Sequence, residues 1–372
     1  MRGGLLSCLP EYGPPPMSKI VSKSRRATPW DHSVKRTASQ SFIRSETKKH
    51  YSQRHQKLRD TDEADLINSF PITRCPFCGS ERIKKNGKDP NGVQKYYCLD
   101  NGAHFLPTTK TIFEDRKIPI TEWIEYWRNL IQYESLTADS WNNKNAFTTS
   151  KYWFKKTCLL LEHIQDSIVL KGTIYYDEMF YSLRNDQITK KADGKKPRGH
   201  SKNQICIGVA TDGEYTVIKY LGTGEPTQKA ICAAFRDHIE RGSTLITDLH
   251  RGHRKLVSEL NLSGIEYDSK KLKSLSDSDN PLNPVNQKHN HLKKFLNAHS
   301  GFIREELLDY INLFLLITNP PKEKLEKIDI LLNLGFQSAV SLKYRAYFKK
   351  NRMIKPTAST HVQIRLFSIR QQ

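Results

Sequence analysis

The chain has 372 residues, of which 37% belong to the hydrophobic set and 27% are charged. That is enough length for two or three domains with real cores. Five Trp, 16 Tyr and 15 Phe exclude disorder over most of it, and no apolar run is long enough to span a membrane. Sixty Lys and Arg against 39 Asp and Glu leave a net charge of +21. Such a field gathers polyanions and points to nucleic acid; the plainer reading is a basic protein with a solvated surface. Seven cysteines, two of them as Cys75-x-x-Cys78, read as thiols of a reducing, cytoplasmic compartment with a metal site rather than as a disulfide framework. Met1 to Pro16 carries too few apolar residues for a signal-peptide core.

Residues 1–65 form a basic arm with many Ser and Thr and no apolar period, expected to be disordered. Residues 70–106 form a compact metal-binding segment. Cys75-Pro-Phe-Cys78 is followed by Cys98 with 19 residues between, and strand-like runs with Asn86-Gly87 and Asn91-Gly92 turn signals fill the interval. Two knuckles on a β-ribbon would gather the thiolates around Zn²⁺. Asn101 stands where a standard ribbon has its fourth cysteine, so His104 is the candidate fourth ligand; the plainer reading is a degraded ribbon that no longer holds metal. Lys84 and Lys85 would face phosphates.

Residues 107–165 are expected to be helical. Trp123, Tyr126, Trp127, Leu130 and Ile131 recur on one helix face, with Thr121 as N-cap. A second helix follows Ser135 and a third starts near Ser150. Three short helices with tight connections suit a helix-turn-helix or, more plainly, a three-helix spacer. From 166 to 320 the pattern is mixed α/β. Strands are expected at Ile174–Asp177, Ile205–Ala210, Tyr215–Leu221, Thr244–Asp248 and Ile265–Tyr267. Helices are expected at Thr227–Ile239, Lys255–Leu260, Pro284–Ala298 and Arg304–Ile317. Three strands joined by hairpins, then two separated by helices, predict a mixed five-stranded sheet with helices. Residues 321–372 read as a basic tail.

Asp177 and Asp248 each close an apolar strand. If those strands are neighbours, both carboxylates emerge at one sheet edge, where they would repel unless they share cations such as Mg²⁺. No Glu lies between Glu266 and Glu305 to complete an acidic triad. Instead Asn286, His289 and Lys293 share one helix face: an amide and an imidazole to reach a metal, and an ammonium to hold a phosphate. The plainer reading is a solvated helix face. Glu178, one residue after Asp177, is expected on the opposite sheet face; His250 and His253, near Asp248, could approach the site, and the plainer reading is a solvated loop.

Taken together, Cys75-x-x-Cys78 with Tyr97-Cys98, Tyr176-Asp177-Glu178, Arg198-Gly199-His200-Ser201-Lys202-x-Gln204, Thr247-Asp248 and Val285-Asn286-x-x-His289-x-x-Leu292-Lys293 make residues 70–320 resemble bacterial insertion-sequence transposases. Those proteins combine an N-terminal zinc ribbon, a helix-turn-helix and an integrase-like catalytic domain of RNase H-like fold; the branch resembled carries Asp, Asp, Asn and His in place of the acidic triad. The resemblance implies that Asp177, Asp248, Asn286 and His289 are catalytic, that Mg²⁺ or Mn²⁺ is held by Asp177, Asp248 and His289, and that Zn²⁺ is held by a ribbon containing Cys75, Cys78 and Cys98, in which Asn101 replaces a family cysteine. It further implies that Arg198, Lys202 and Lys293 join Lys84 and Lys85 on DNA. The partners implied are double-stranded DNA, both element ends and target, and further copies of the chain in a synaptic homo-oligomer, in a bacterial, nucleoid-associated setting. The chemistry implied is two-metal phosphoryl transfer, cleaving DNA and joining element ends to a target. Two rival readings are a non-catalytic zinc-ribbon DNA-binding protein and a plain nuclease of the same fold.

Overall fold

The structure, a computed structural model, describes residues 37–43, 45–46, 63–116, 118–142, 145–183, 188–190, 194, 201–272, 274–299 and 304–353. The chain divides into two compact units, Met1–Lys57 and Leu58–Gln372. In the first, residues 38–43 are helical. Thr37 and Gln40 each accept the other's backbone N–H through their side chains, which closes a capping box on the helix start. Residues 45–46 are helical as well, and the rest of the expected arm before Glu63 lies outside the described residues.

The second unit begins with α1 (Ala64–Ser69) and a small antiparallel sheet of β1 (Ile83–Lys88), β2 (Gln94–Cys98) and β3 (His104–Phe105), in that order. The turn signals divide unequally. Asp89 accepts the N–H groups of Asn91 and Val93 and makes the hairpin, whereas Asn86-Gly87 falls inside β1, where the register to β2 shifts between Lys85 and Lys88. Cys75, Cys98 and Phe105 form the ribbon's own core. It is far too small to fold by apolar burial alone.

Three helices follow: α2 (Ile120–Ile131), α3 (Leu136–Asn142) and α4 (Phe147–Leu161). The predicted apolar face of α2 is buried. Trp123 stacks on Trp153 at 4.3 Å, and Trp127 donates its indole N–H to Thr157 Oγ1 at 3.0 Å. The cap of α2 is supplied from a distance. Glu63 accepts the N–H of Thr121 at 3.2 Å with one oxygen and Arg116 at 2.7 Å with the other, so Thr121 is the capped residue and not the cap. α3 does start where expected, with Ser135 Oγ accepting from Ala138 N.

The larger sheet contains β4 (Thr173–Ser182), β5 (Gln204–Thr211), β6 (Thr216–Thr223), β7 (Thr244–Asp248) and β8 (Ser263–Tyr267), in the order β6-β5-β4-β7-β8. β6, β5 and β4 run antiparallel, and β7 and β8 run parallel to β4. The expected mixed five-stranded sheet is therefore present. Helices α5 (Gln228–Phe235) and α6 (Arg254–Leu260) cover one face through Ile231, Phe235, Leu256 and Leu260, packed on Ile174, Tyr176 and Leu245. Gly208 makes this possible: a Cβ there would lie 2.8 Å from the Phe235 ring. After the short α7 (Ser269–Leu272), α8 (Asn283–Ala298) and α9 (Leu307–Thr318) cover the other face, in one continuous core with Met179, Ile207 and Val209.

The stretch expected as a basic tail folds as far as Met353. α10 (Lys324–Gln337) and α11 (Tyr344–Met353) extend the helical layer, and Ile328, Leu331, Leu332 and Phe336 join the core of α2 and α4. Phe336 stacks on Phe70 at 4.0 Å. Lys327, 3% exposed, donates to the carbonyls of Leu316, Ile317 and Asn319 and so closes the C-terminal end of α9. This packing leaves α4 little free surface. Trp153, Phe154, Lys156, Thr157, Cys158, Leu160 and Leu161 are all buried, while Phe147 is exposed at its start. α4 is thus a core helix beyond its first turn.

Candidate active site

The site lies where β7 ends beside β4. Tyr175 pairs with Ile246 in parallel register. Two residues further along, Asp177 is level with Asp248, and strand alternation puts both on the face covered by α8. The expected convergence of the two strands is met, with one correction: Asp177 does not close its strand. β4 runs on to Ser182 because β5 pairs with it along its length. β7 stops at Asp248, which opens the flank of β4 at Asp177.

Carboxylate oxygens of Asp177, Glu178 and Asp248 lie within 4.8 Å of one another. Burial, together with the charges of Glu178 and Asp248, pushes the Asp177 carboxyl up to about 7. Its Oδ1 accepts the backbone N–H of Glu178 at 2.8 Å. Three oxygens held this closely form a hard donor set of the kind that suits Mg²⁺ or Mn²⁺.

His289 is brought to the same place by α8, which packs on β4 and β5. Its Nδ1 lies 3.7 Å from Asp177 Oδ2, and its Nε2 is buried with no partner in the protein. Burial and the nearby Lys293 ammonium lower its pKa to about 4, so the ring is neutral at pH 7. Neutral imidazole is the metal-binding form. Asn286 is half-buried one turn earlier on the same helix face.

Glu178 is the residue underrated from sequence. As expected, it leans to the opposite sheet face, where Tyr176 Oη donates to it and His253 Nε2 lies 3.1 Å away. Yet a carboxylate oxygen of Glu178 still reaches the aspartates. Burial pushes this carboxyl up, but the hydrogen bond and charge of His253, with His250, outweigh it and hold Glu178 below the usual range. The plainer reading of a solvated loop fails for His253, while His250 stays partly exposed. His253 is 1% exposed, on a 3₁₀ turn (Arg251–His253) that directly follows the end of β7. The sequence signal was His250-x-x-His253, a spacing that turns both rings to one side once the chain curls.

The other expected residues fall elsewhere. Lys202 is exposed just before β5, beyond the Ser182–Gln204 pair and five residues along β4 from Asp177. Arg198 lies outside the described residues. Lys84 and Lys85 are exposed on β1, with Lys84 Nζ 5.3 Å from the Tyr97 ring centroid.

In the ribbon, Cys75, Cys78 and Cys98 bring their sulfurs within 4.8 Å of one another. Burial opposes ionisation of Cys75, but the backbone N–H groups of Cys78 and Phe77 outweigh it and bring the thiol to about 7, the thiolate-favouring surroundings of a metal ligand. His104 is not brought to the thiols: it is exposed on β3 and pairs with Asn86 at 3.1 Å. The group beside Cys75 is Asn101, whose amide donates to Sγ at 3.5 Å.

No protein-family model matches this chain, and no curated protein matches it. Among solved structures it is similar to the catalytic domain of the Mos1 mariner transposase, at 16% identity over 50% of this chain and 90% of that one, with a TM-score of 0.26. It is also similar to a Drosophila P element transposase strand transfer complex, at 10% identity over 66% of this chain and 63% of that one, TM-score 0.25. A third is a simian T-cell lymphotropic virus intasome in complex with PP2A regulatory subunit B56 gamma, at 7% identity over 51% of this chain and 66% of that one, TM-score 0.26. No helix among the described residues is long and apolar enough to cross a membrane.

Proposed function

We propose that Thr173–Thr318 is an RNase H-like catalytic domain that carries out metal-dependent phosphoryl transfer on DNA, as a transposase of the insertion-sequence type. The observation that carries this reading is the convergence of the Asp177 and Asp248 carboxylates from neighbouring parallel strands, on the same face as His289. The oxygen donors fit Mg²⁺ or Mn²⁺, and Asp177, Asp248 and His289 would hold the cation, with Glu178 within reach. A divalent cation bound there supplies charge neutralisation of a phosphodiester and activation of an attacking hydroxyl.

The chain's own residues do the rest. His289 stays neutral and fixes the outer side of Asp177. Asn286, on the same helix face, offers an amide to the substrate or cation, and Lys293 offers a cationic head to a phosphate. Glu178, held by Tyr176 and His253, keeps negative charge beside Asp177 and so strengthens its demand for a cation. The ribbon would hold Zn²⁺ through Cys75, Cys78 and Cys98. Lys84 and Lys85 on its outer strand would bind the backbone of the element end. Joining two ends in concert calls for a homo-oligomer.

The test is cleavage and joining of duplexes taken from the DNA flanking the coding sequence, in Mg²⁺, with Asp177→Asn and Asp248→Asn. Loss of both reactions in both variants is expected. DNA binding with no Mg²⁺-dependent chemistry in the unsubstituted protein would leave a non-catalytic DNA-binding protein, and cleavage without joining would leave a nuclease.

A further inference from the structure

Behind the aspartates, on the face covered by α5 and α6, lies a second group of ligands. Atoms of Glu178, His250 and His253 lie within 4.8 Å of one another. The chain builds this group deliberately. Strand alternation sends Glu178 through to the far side of the sheet from Asp177, and the turn after β7 lifts His250 and His253 towards it. Each imidazole faces a carboxylate: His253 Nε2 is 3.1 Å from Glu178 Oε1, and His250 Nε2 is 2.8 Å from Glu225 Oε1. The rings stand edge to face with centroids 5.5 Å apart. His253 is 1% exposed, and its Nδ1 is buried with no partner in the protein. A buried imidazole left half unsatisfied carries a cost that a packed apolar ring would avoid.

We infer that Glu178, His250 and His253 form a second cation site, selective for a borderline transition metal such as Zn²⁺, with Glu178 shared between this site and the aspartate pair. The donor chemistry separates the two. Two imidazoles and one carboxylate favour Zn²⁺ over Mg²⁺, whereas the three carboxylates favour the hard ion. On binding, each ring coordinates through Nε2 as neutral imidazole, and the proton now lying between that nitrogen and its carboxylate moves to Nδ1, with no net release. His250 thereby gives up the 3.3 Å bond from Gly252 N. Glu225 loses its bond to Nε2 and is left facing the cation. The site is tested by metal content, a readout that needs no joining reaction.

The full-length protein is saturated with Zn²⁺ in excess Mg²⁺ and desalted, and zinc per chain is counted by elemental mass spectrometry. His250→Ala, at a partly exposed ring, is expected to lower the count by about one equivalent relative to the unsubstituted protein, the content of one site. Asp248→Asn is expected to keep the full count. His253→Ala, with its fold checked by circular dichroism, should match His250→Ala. A count unchanged by His250→Ala overturns the site. Loss of the same equivalent in Asp248→Asn also overturns it, because the zinc would then belong to the aspartates. Zinc held by the ribbon is common to every variant and cancels in the comparison.

Discussion

His289 Nδ1 lies 3.7 Å from Asp177 Oδ2, an approach made by a helix and a strand more than a hundred residues apart in the chain. The imidazole is neutral and the carboxyl is pushed up to about 7. Near pH 7 and without a cation, therefore, the imidazole is neutral, as it mostly is in water, and the Asp177 carboxyl is about half protonated. The pair gains from an added positive ion and has little to offer otherwise. His289→Ala should accordingly lower Mg²⁺ affinity roughly 10–100-fold, the range for removing a group at a metal site's edge, as measured by isothermal titration. Unchanged affinity would remove His289 from the site.

The same shifts set the acid–base behaviour of the cation-free protein. Asp177 is raised, so its contribution to stability is complete below its ordinary value near ~4 and is lost as pH rises through about 7. His289 is lowered, so its contribution is complete above its ordinary value near ~6.5 and is lost as pH falls through about 4. In EDTA, Asp177→Asn should gain stability relative to the unsubstituted protein as pH goes from 4 to 7, measured by urea midpoints. A flat difference between the two would contradict the buried, charge-crowded position of Asp177. Added Mg²⁺ should remove much of the difference.

Much of this site was legible in the sequence, and the limits have physical causes. Asp177 and Asp248 stood out because each ends a short apolar run, and the sheet order brings their strands side by side. Glu178 was underrated because alternation is a rule about Cβ direction. A glutamate at a strand flank left open by the end of β7 still reaches round it. His253 was misread because a polar loop looks solvated until its rings turn onto Tyr176, whose ring centroid is 4.9 Å away. The C-terminal helices were missed for a related reason. α10 is weakly amphipathic by sequence, with Lys327 in the middle of its buried side, and only the carbonyl ends of α9 explain a lysine there.

Lys327 supplies its own prediction. Lys327→Met keeps the stem and removes the ammonium that serves three carbonyls. Unsatisfied buried groups cost about 1–3 kcal/mol each, and partial solvation of the helix end offsets some of this, so a loss of about 2–4 kcal/mol is expected in chemical denaturation. A loss below about 0.5 kcal/mol, the scale of an ordinary surface change, would mean that water caps α9 as well as the lysine does.

In the ribbon, three sulfurs converge while Asn101 takes the place beside Cys75. Asn101→Cys should therefore tighten Zn²⁺ retention against a chelator by completing a four-thiolate set. His104→Ala should leave retention unchanged, since that ring pairs with Asn86. Zinc lost on His104→Ala would reverse this assignment.

On DNA, Lys84 and Lys85 project from an exposed strand. Replacing both with Ala should weaken binding about equally across sequences and reduce the slope of log affinity against log salt by about 1–2. A slope unchanged in fluorescence anisotropy would take the ribbon off the phosphate backbone.

The central claim is that one divalent cation is held by Asp177 and Asp248 together. Isothermal titration of Mg²⁺ into the unsubstituted protein, Asp177→Asn, Asp248→Asn and the double variant measures this directly. Shared coordination predicts that each single variant loses binding by itself and that the double variant loses no more than either. Full affinity in either single variant would contradict it.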